Sequence, residues 1–257
     1  MRRNACWPGS SAFTLGGVVN EKATIIMKPE LCIVMPVLNE APTLASRLSE
    51  LDALRQRGVR VIVVDGGSDD DSLNIARAHA DIALTAPRGR ASQMNAGAAL
   101  CTANILLFLH ADTRLPEQAD VRVREALSGE KSWGRFDVRI DSDRLLLRVV
   151  SLLMNLRSRW TGIATGDQAM FVRRDIFAAV GGFPDMALME DIALSRVLKC
   201  HSPPACLREK VVTSARRWEQ HGVLRTILLM WRLRAAFFFG AAPAQLALKY
   251  GYRPRSH

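Results

Sequence analysis

Short, continuous apolar runs alternate along this chain with stretches whose apolar positions recur at helical spacing. LCIVMP (31–36) reads as a strand, after which Leu44, Leu48, Leu51 and Leu54 form one helical stripe, with Pro42 suited to its first turn and Gly58 to its stop. A strand over 59–65, a helix over 70–80, a strand over 81–86, a helix over 91–102 and a strand over 104–109 continue the alternation. Strands that read as unbroken apolar runs are buried on both faces, so the pattern predicts an α/β fold with parallel pairing and right-handed crossovers.

Beyond Leu115 the alternation loosens. A helix is expected over 116–128, a strand through Arg135–Ile140, an apolar helix over 143–160, a loop over 161–167 and a strand over 168–173. Helices over 174–180 and 189–200 flank Gly181-Gly182-Phe183-Pro184, and a further strand ends near Ser214. No repeat or low-complexity linker interrupts the chain, so residues 27–222 read as one continuous domain. In 223–239, Leu224, Leu228, Trp231, Ala235 and Phe238 share one helical face. Arg225, Arg232 and Arg234 argue against a membrane span. They leave two readings of 223–257: a core helix with snorkelling arginines, or an interfacial helix drawn to anionic lipid.

The polar residues cluster where the predicted strands end. Asn39-Glu40, Asp65-Gly66-Gly67-Ser68, Arg88-Gly89-Arg90 and His110-Ala111-Asp112 each follow an apolar run. In open α/β sheets that edge holds ligands, because loops and helix N-termini converge there. Asp65 is placed to accept from a ribose or base, although Ser68 or Asp69 could equally cap the next helix. Asp112, directly after a very apolar strand, must be solvated, paired or metal-bound. A cation there would neutralise a diphosphate, with His110 as a second ligand or phosphate contact; simple turn-capping is the alternative. Glu190 and Asp191 open a helix, where acids often serve only the helix dipole. Two adjacent acids cannot point the same way, so one can orient while the other takes a proton. Arg216-Arg217-Trp218 suits a diphosphate and a stacked sugar, or else a solvated basic patch beside a core Trp.

Composition narrows the setting. The net charge is +10, and from His201 onward ten Lys or Arg face only Glu209 and Glu219, so the basic surplus belongs to the C-terminal segment. Those residues are interleaved with a long apolar helix and match no nucleic-acid module, so no nucleic-acid partner is expected. The five scattered cysteines contain no CxxC pair, which disfavours zinc and fits a reducing, cytoplasmic setting. Peripheral contact with the inner membrane face is expected from the basic, apolar segment. Residues 1–26 lack a continuous apolar stretch and are expected to be a disordered extension ahead of Met27.

Taken together, VMPVLNE (34–40), VVDGGSDD (63–70), GRASQMNAGA (89–98), FLHADT (108–113), GDQAMFVRR (166–174), GGFP (181–184), MEDIALSRVL (189–198) and SARRWEQHGVLRT (214–226) resemble a family-2 glycosyltransferase of the GT-A fold. The wording of FLHADT and SARRWE is similar to the subgroup named for association with radical-SAM/selenodomain proteins. The resemblance implies a Rossmann-like, mostly parallel sheet with helices on both faces, followed by the apolar, basic helical segment. It also implies transfer of a sugar, by a hexosyltransferase type of reaction with inversion, from a nucleoside-diphosphate sugar to an acceptor hydroxyl. Pro36, Glu40, Asp65, Gly67, Arg88, Arg90, Gln93, Asn95 and Ala111 would then line the nucleotide-sugar pocket, with Arg216, Arg217 and Trp218 near the diphosphate. Asp112, with His110, would hold a divalent metal, Mn²⁺ or Mg²⁺. Asp191 would be the catalytic base beside Glu190, and Gly166, Asp167 and Gln168 would lie on the acceptor side. The apolar segment points to a lipid-linked acceptor.

Two departures stand out from the family pattern. Gly66 replaces a second Asp, and His110 replaces the first carboxylate of the metal motif. The second change removes a negative charge and shifts the site toward ions that accept imidazole. The rival expectation is a non-catalytic nucleotide- or lipid-binding protein on the same fold; a nucleotidyltransferase is a lesser one, for want of a glycine-rich basic loop after the first strand.

Overall fold

A computed structural model describes residues 30–252; the extension expected over 1–26 lies outside them. Their eight strands form one sheet in the order β3-β2-β1-β4-β7-β6-β8-β5. The first half is the predicted alternation: β1 Leu31–Val37, α1 Ala41–Ser49, α2 Asp52–Gln56, β2 Arg60–Asp65, α3 Ser72–His79, β3 Ile82–Thr85, α4 Arg90–Ala99 and β4 Ile105–Phe108. Strands β3, β2, β1 and β4 pair in parallel. The single helix expected over the leucine stripe is broken at Glu50-Leu51, where Leu51 N–H bonds back to Leu48 O in a tighter turn. All four leucines still face the core.

The second half contains β5 Thr113–Arg114, α5 Ala119–Leu127, β6 Trp133–Asp141, α6 Leu145–Thr161, a 3₁₀ turn Gly166–Gln168, β7 Phe171–Arg173, α7 Arg174–Ala179, α8 Glu190–Leu198, β8 Ala205–Ser214, α9 Arg216–His221, α10 Val223–Phe238 and α11 Pro243–Tyr250. Strand β7 runs antiparallel to β4 and β6, and β5 antiparallel to β8, while β6 and β8 are parallel. Gln168 was expected to open a strand. It instead closes the 3₁₀ turn as the partner of Thr165 in a capping box, and β7 starts three residues later.

Period-two alternation sends the two halves of each central strand to opposite cores. Ile33, Met35, Val61, Val63 and Leu107 pack with the leucines of α1 and with α5, whereas Val34, Ile62, Val64, Leu106 and Phe108 pack with α4, α7 and α8. Helix α4 approaches the sheet so closely that a Cβ on Gly97 would stand 2.5 Å from Val34 Cγ1. On the α8 side, Phe108, Phe177 and Phe183 form a ring cluster with centroid separations of 4.8–5.6 Å.

Helices α10 and α11 do not stand apart from this body. Leu233, Leu246 and Ala247 pack on Leu188, Met189 and Ile192 at the head of α8, and Val223 and Ile227 pack on Leu147, Val150 and Met154 of α6. The face of α10 carrying Leu224, Leu228, Trp231 and Phe238 is exposed, which overturns the core-helix reading for that face.

Candidate functional site

The edge where β1, β2 and β4 end is built first from loop-to-loop hydrogen bonds. Glu40 N–H donates to Ser72 Oγ (2.8 Å), Ala41 N–H to Asp70 Oδ2 (3.0 Å), Asn39 N–H to Ser68 Oγ (2.9 Å) and Asp69 N–H to Asn39 Oδ1 (2.8 Å). The free N–H groups at the start of α1 are therefore capped from the next loop, not from its own N-cap. Asn39 takes a left-handed φ of 55° to make this possible. Asp65 is buried and accepts from Gly67 N–H (2.8 Å), Ser68 N–H (2.9 Å) and the Ser68 hydroxyl. Ser68 thus holds Asp65 and does not cap α3, whose N-cap is Asp71.

Below this edge lies a cavity of about 430 Å³. Pro36 and Glu40 form its first wall, Arg90 and Gln93 its floor, and His110, Ala111 and Asp112 the end of β4; Asp167, Glu190, Arg216, Arg217 and Trp218 close the far side. Among the residues expected at the site, Asp65, Gly67, Arg88, Asn95, Gly166, Gln168 and Asp191 are not in that lining. Arg88 donates to Gly67 O (3.1 Å). Asn95 clamps Phe183 through both backbone groups at 2.8 and 2.9 Å and so fixes the GGFP loop. Gln93 reaches the cavity, but its amide donates to Val37 O and Val64 O, each at 2.8 Å, tying the ends of β1 and β2 together. Gln168 is fully buried away from it.

Charges of both signs meet in this space. Arg90 is enclosed by protein yet open to solvent through the cavity. Burial works against its charge, but Glu190, Tyr250, Asp167 and Asp112 outweigh that and raise its pKa. Glu190 is buried, and burial followed by the neighbouring Asp191 pushes its carboxyl up against the pull of Arg90. For Asp167 burial acts upward, but the hydrogen bond and charge of His110, with Arg90 and Arg234, hold the carboxyl below its ordinary value. Arg216 donates to both oxygens of Glu40 (3.0 and 3.4 Å), bridging the first loop and α9; that bond and the Glu40 charge raise its pKa. Arg217 lies 3.5 Å over the Tyr250 ring and donates to Tyr250 O at 2.7 Å.

The two acids at the start of α8 point different ways. Glu190 enters the cavity. The Asp191 carboxylate accepts from Gly166 N–H through Oδ2 and from Ile192 N–H through Oδ1, both at 2.7 Å, so its plane is fixed by backbone. Gly166 is required here: a Cβ would stand 2.3 Å from His110 Cε1.

His110 was expected as a second metal ligand or phosphate contact. Its ring edge packs against Gly166 and its Nδ1 faces Asp167 Oδ1 at 3.5 Å, while the residue also lines the cavity beside Asp112. Among the described residues the Asp112 carboxylate accepts from the Thr113 hydroxyl at 3.2 Å, with its other oxygen left open at the cavity. Among the described residues no three His, Cys, Asp or Glu side chains converge as a cation cage. Asp112 is the carboxylate at the end of β4 that lines the cavity, and on its own it would hold a hard cation only with further oxygen ligands from a bound molecule.

Tyr250, Tyr252, Thr226 and Met230 also line the cavity and were missed from sequence. The available signal was that both tyrosines of the chain fall together just after the basic, apolar segment.

Comparison with known proteins agrees with this architecture. The Glycosyl transferase family 2 profile matches residues 32–180. The PGL/p-HBAD biosynthesis glycosyltransferase of Mycobacterium tuberculosis (strain ATCC 25618 / H37Rv) is 30% identical over 172 residues, covering 60% of this chain and 63% of that protein. The pre-mycofactocin glycosyltransferase of the same strain is 29% identical over 247 residues, covering 86% and 48%. The chain thus spans about half to two thirds of the length of these relatives. Mannosyltransferase PcManGT from Pyrobaculum calidifontis, solved with GDP-Man and Mn²⁺, superposes with a TM-score of 0.58 at 19% identity, covering 82% of this chain and 62% of that one. Glucosyl-3-phosphoglycerate synthase from M. tuberculosis, solved with Mn²⁺, UDP and glucosyl-3-phosphoglycerate, gives 0.53 at 19%, covering 72% and 71%. These likenesses identify the fold as GT-A-like, in agreement with the expected fold class.

Proposed function

The chain belongs to glycosyltransferase family 2, and on that footing we propose that it transfers a sugar from a nucleoside-diphosphate sugar to an acceptor hydroxyl, with inversion. The observation carrying this reading is the cavity that gathers Asp112, Arg90, Arg216, Arg217, Trp218 and Glu190, with Asp191 next to Glu190 and held by Gly166 N–H. The FLHADT and SARRWE wording supports placement in the radical-SAM/selenodomain-associated subgroup.

Asp191 takes the proton of the acceptor hydroxyl as its oxygen attacks the anomeric carbon. The bond from that carbon to the diphosphate oxygen breaks, and its electron pair leaves with the nucleoside diphosphate. Gly166 N–H keeps the Asp191 carboxylate aimed, and Arg90, Arg216 and Arg217 stabilise the charge on the departing group. Asp112 would hold a divalent cation, which would supply Lewis-acid stabilisation of the leaving group. The Glu40–Arg216 pair is partly exposed and therefore weak, so Arg216 can exchange Glu40 for phosphate at little cost.

Nucleoside-diphosphate release from a panel of nucleotide sugars, with and without Mn²⁺ or Mg²⁺, tests the reading. Release from one donor, stimulated by metal, is expected. Donor binding without release under any acceptor tried would instead favour a non-catalytic binding protein.

The acceptor side also bears on location. Large exposed apolar side chains gather on α6, α10 and α11: Leu145, Leu152, Leu153 and Trp160 on the first, Leu224, Leu228 and Trp231 on the second, and Leu248 on the third, with Trp160 84% and Trp231 69% exposed. Helices α6 and α10 pack side by side, and Arg144, Arg148, Arg225 and Arg232 are exposed among these residues. An apolar surface studded with cations fits an anionic bilayer. No helix among the described residues is long and apolar enough to cross one, so the contact proposed is peripheral. Co-sedimentation with phosphatidylglycerol vesicles should exceed that with phosphatidylcholine and fall in Leu228→Glu/Trp231→Glu; equal pelleting of variant and wild type would refute it.

A further inference from the structure

Two adjacent arginines at the start of α9 line the cavity, and they are held in different ways. Arg216 is paired with the Glu40 carboxylate. Arg217 has no ion pair among the described residues. What holds it is neutral: the Tyr250 ring, whose centroid lies 3.5 Å from the guanidinium carbon, and the Tyr250 carbonyl, which accepts from Nη2 at 2.7 Å. Its Nε is buried without a partner. Tyr250 lines the same cavity.

The sequence builds this hold at the end of α11. Gly251 takes a left-handed φ of 83° and stops the helix directly after Tyr250. The last carbonyls of a helix have no partner within it, and that end favours a cation, so Tyr250 O is free to accept from Arg217. The ring is backed by Leu188, Met189, Ile192 and Leu246, the cluster at the head of α8 from which Glu190 enters the cavity. A long arginine side chain samples many rotamers, and fixing it has an entropic cost. A stacked face and one carbonyl meet that cost inside the protein without cancelling the charge. A carboxylate would also fix the side chain, but an incoming phosphate would first have to displace it, as it must at Arg216.

We propose that Tyr250 is a positioning residue of the transferase reaction: it presets Arg217, charge uncancelled, for the diphosphate of the donor, and so makes the end of α11 part of the donor site. This rests on the transferase reading above and adds a residue to it. Because Tyr250 acts through Arg217, its hydroxyl is dispensable, its ring is not, and neither matters once Arg217 is gone.

Equilibrium binding of UDP, GDP, CDP and dTDP to the full chain in Mn²⁺, read by titration calorimetry, tests this, because the diphosphate is common to all of them. At least one should bind the wild type. For that nucleotide Tyr250→Phe should bind within about twofold of wild type and Tyr250→Leu about tenfold more weakly, the range of a partly desolvated cation–π contact. Arg217→Lys keeps the charge and leaves α11 untouched but offers no planar face, and should weaken binding as Tyr250→Leu does. Arg217→Met should lose at least as much, and adding Tyr250→Leu to it should weaken binding no further, the non-additivity of residues that act as one unit.

Wild-type affinity in either Tyr250→Leu or Arg217→Lys would overturn the proposal, and the second of these reads the stack even where the first does not fold. So would a Tyr250→Phe as weak as Tyr250→Leu, since the hydroxyl would then meet the ligand itself. Additive losses in the double variant would also overturn it, the mark of a ring that only supports the packing of α11 on α8. In each of these cases donor turnover by the wild type would keep the transferase and discard the positioning role. Absence of binding for every nucleotide would remove both.

Discussion

Asp191→Asn should lower sugar transfer by about 10³-fold while leaving donor affinity within about twofold, the loss expected when a positioned general base is removed. The substitution is a sparing one. An Asn oxygen can still accept from Gly166 N–H, the bond that fixes the side chain at 2.7 Å, so the turn over His110 keeps its shape. What disappears is the capacity to take a proton. Single-turnover transfer alongside equilibrium binding of the donor separates the two effects, and lost donor binding would make Asp191 structural. Glu190→Gln is the necessary companion. Glu190 faces the cavity with its carboxyl pushed up by burial and by Asp191, so a full loss of turnover in Glu190→Gln with Asp191→Asn still active would exchange the two roles.

Asp112→Ala should reduce turnover by about 10²-fold, in the range seen when one group stabilising transition-state charge is removed, and should abolish stimulation by Mn²⁺ or Mg²⁺. Asp112 carries this weight because it is the carboxylate at the end of β4 that lines the cavity, whereas Nδ1 of His110 faces Asp167. Chelation of the wild type should therefore reproduce the variant's rate. A variant that still responds to metal would place the cation elsewhere.

The sheet was legible because a strand buried on both faces has no polar positions to break its pattern; LCIVMP and VIVV read the same whichever helix covers them. The exposed apolar side chains of α6 were not. Leu152 and Leu153 have the composition of core residues, and hydrophobicity alone does not say whether a face meets protein or something else. Gln93 and Asn95 show a different limit, Gln93 lining the cavity and Asn95 not. An amide inside a ligand-binding motif reads as a ligand contact, yet both are engaged with backbone, at the ends of β1 and β2 and at Phe183. Gln168 fell into the same gap, since a short apolar run after it looks like a strand while its own side chain completes a turn. Tyr250 and Tyr252 carried only the weak signal of falling together after the apolar segment, because it is the docking of α10 and α11 that brings them to the cavity.

The bridge from Glu40 to Arg216 joins residues 176 positions apart. Contacts so distant in sequence form only after the intervening chain is ordered, because closing so long a loop has an entropic cost that early structure must first offset. On a ribosome, β1 to β4 and their helices would emerge and collapse together while α9 was still unmade. The cavity thus has a history: its floor and first wall can be in place long before the arginines of α9 that close it.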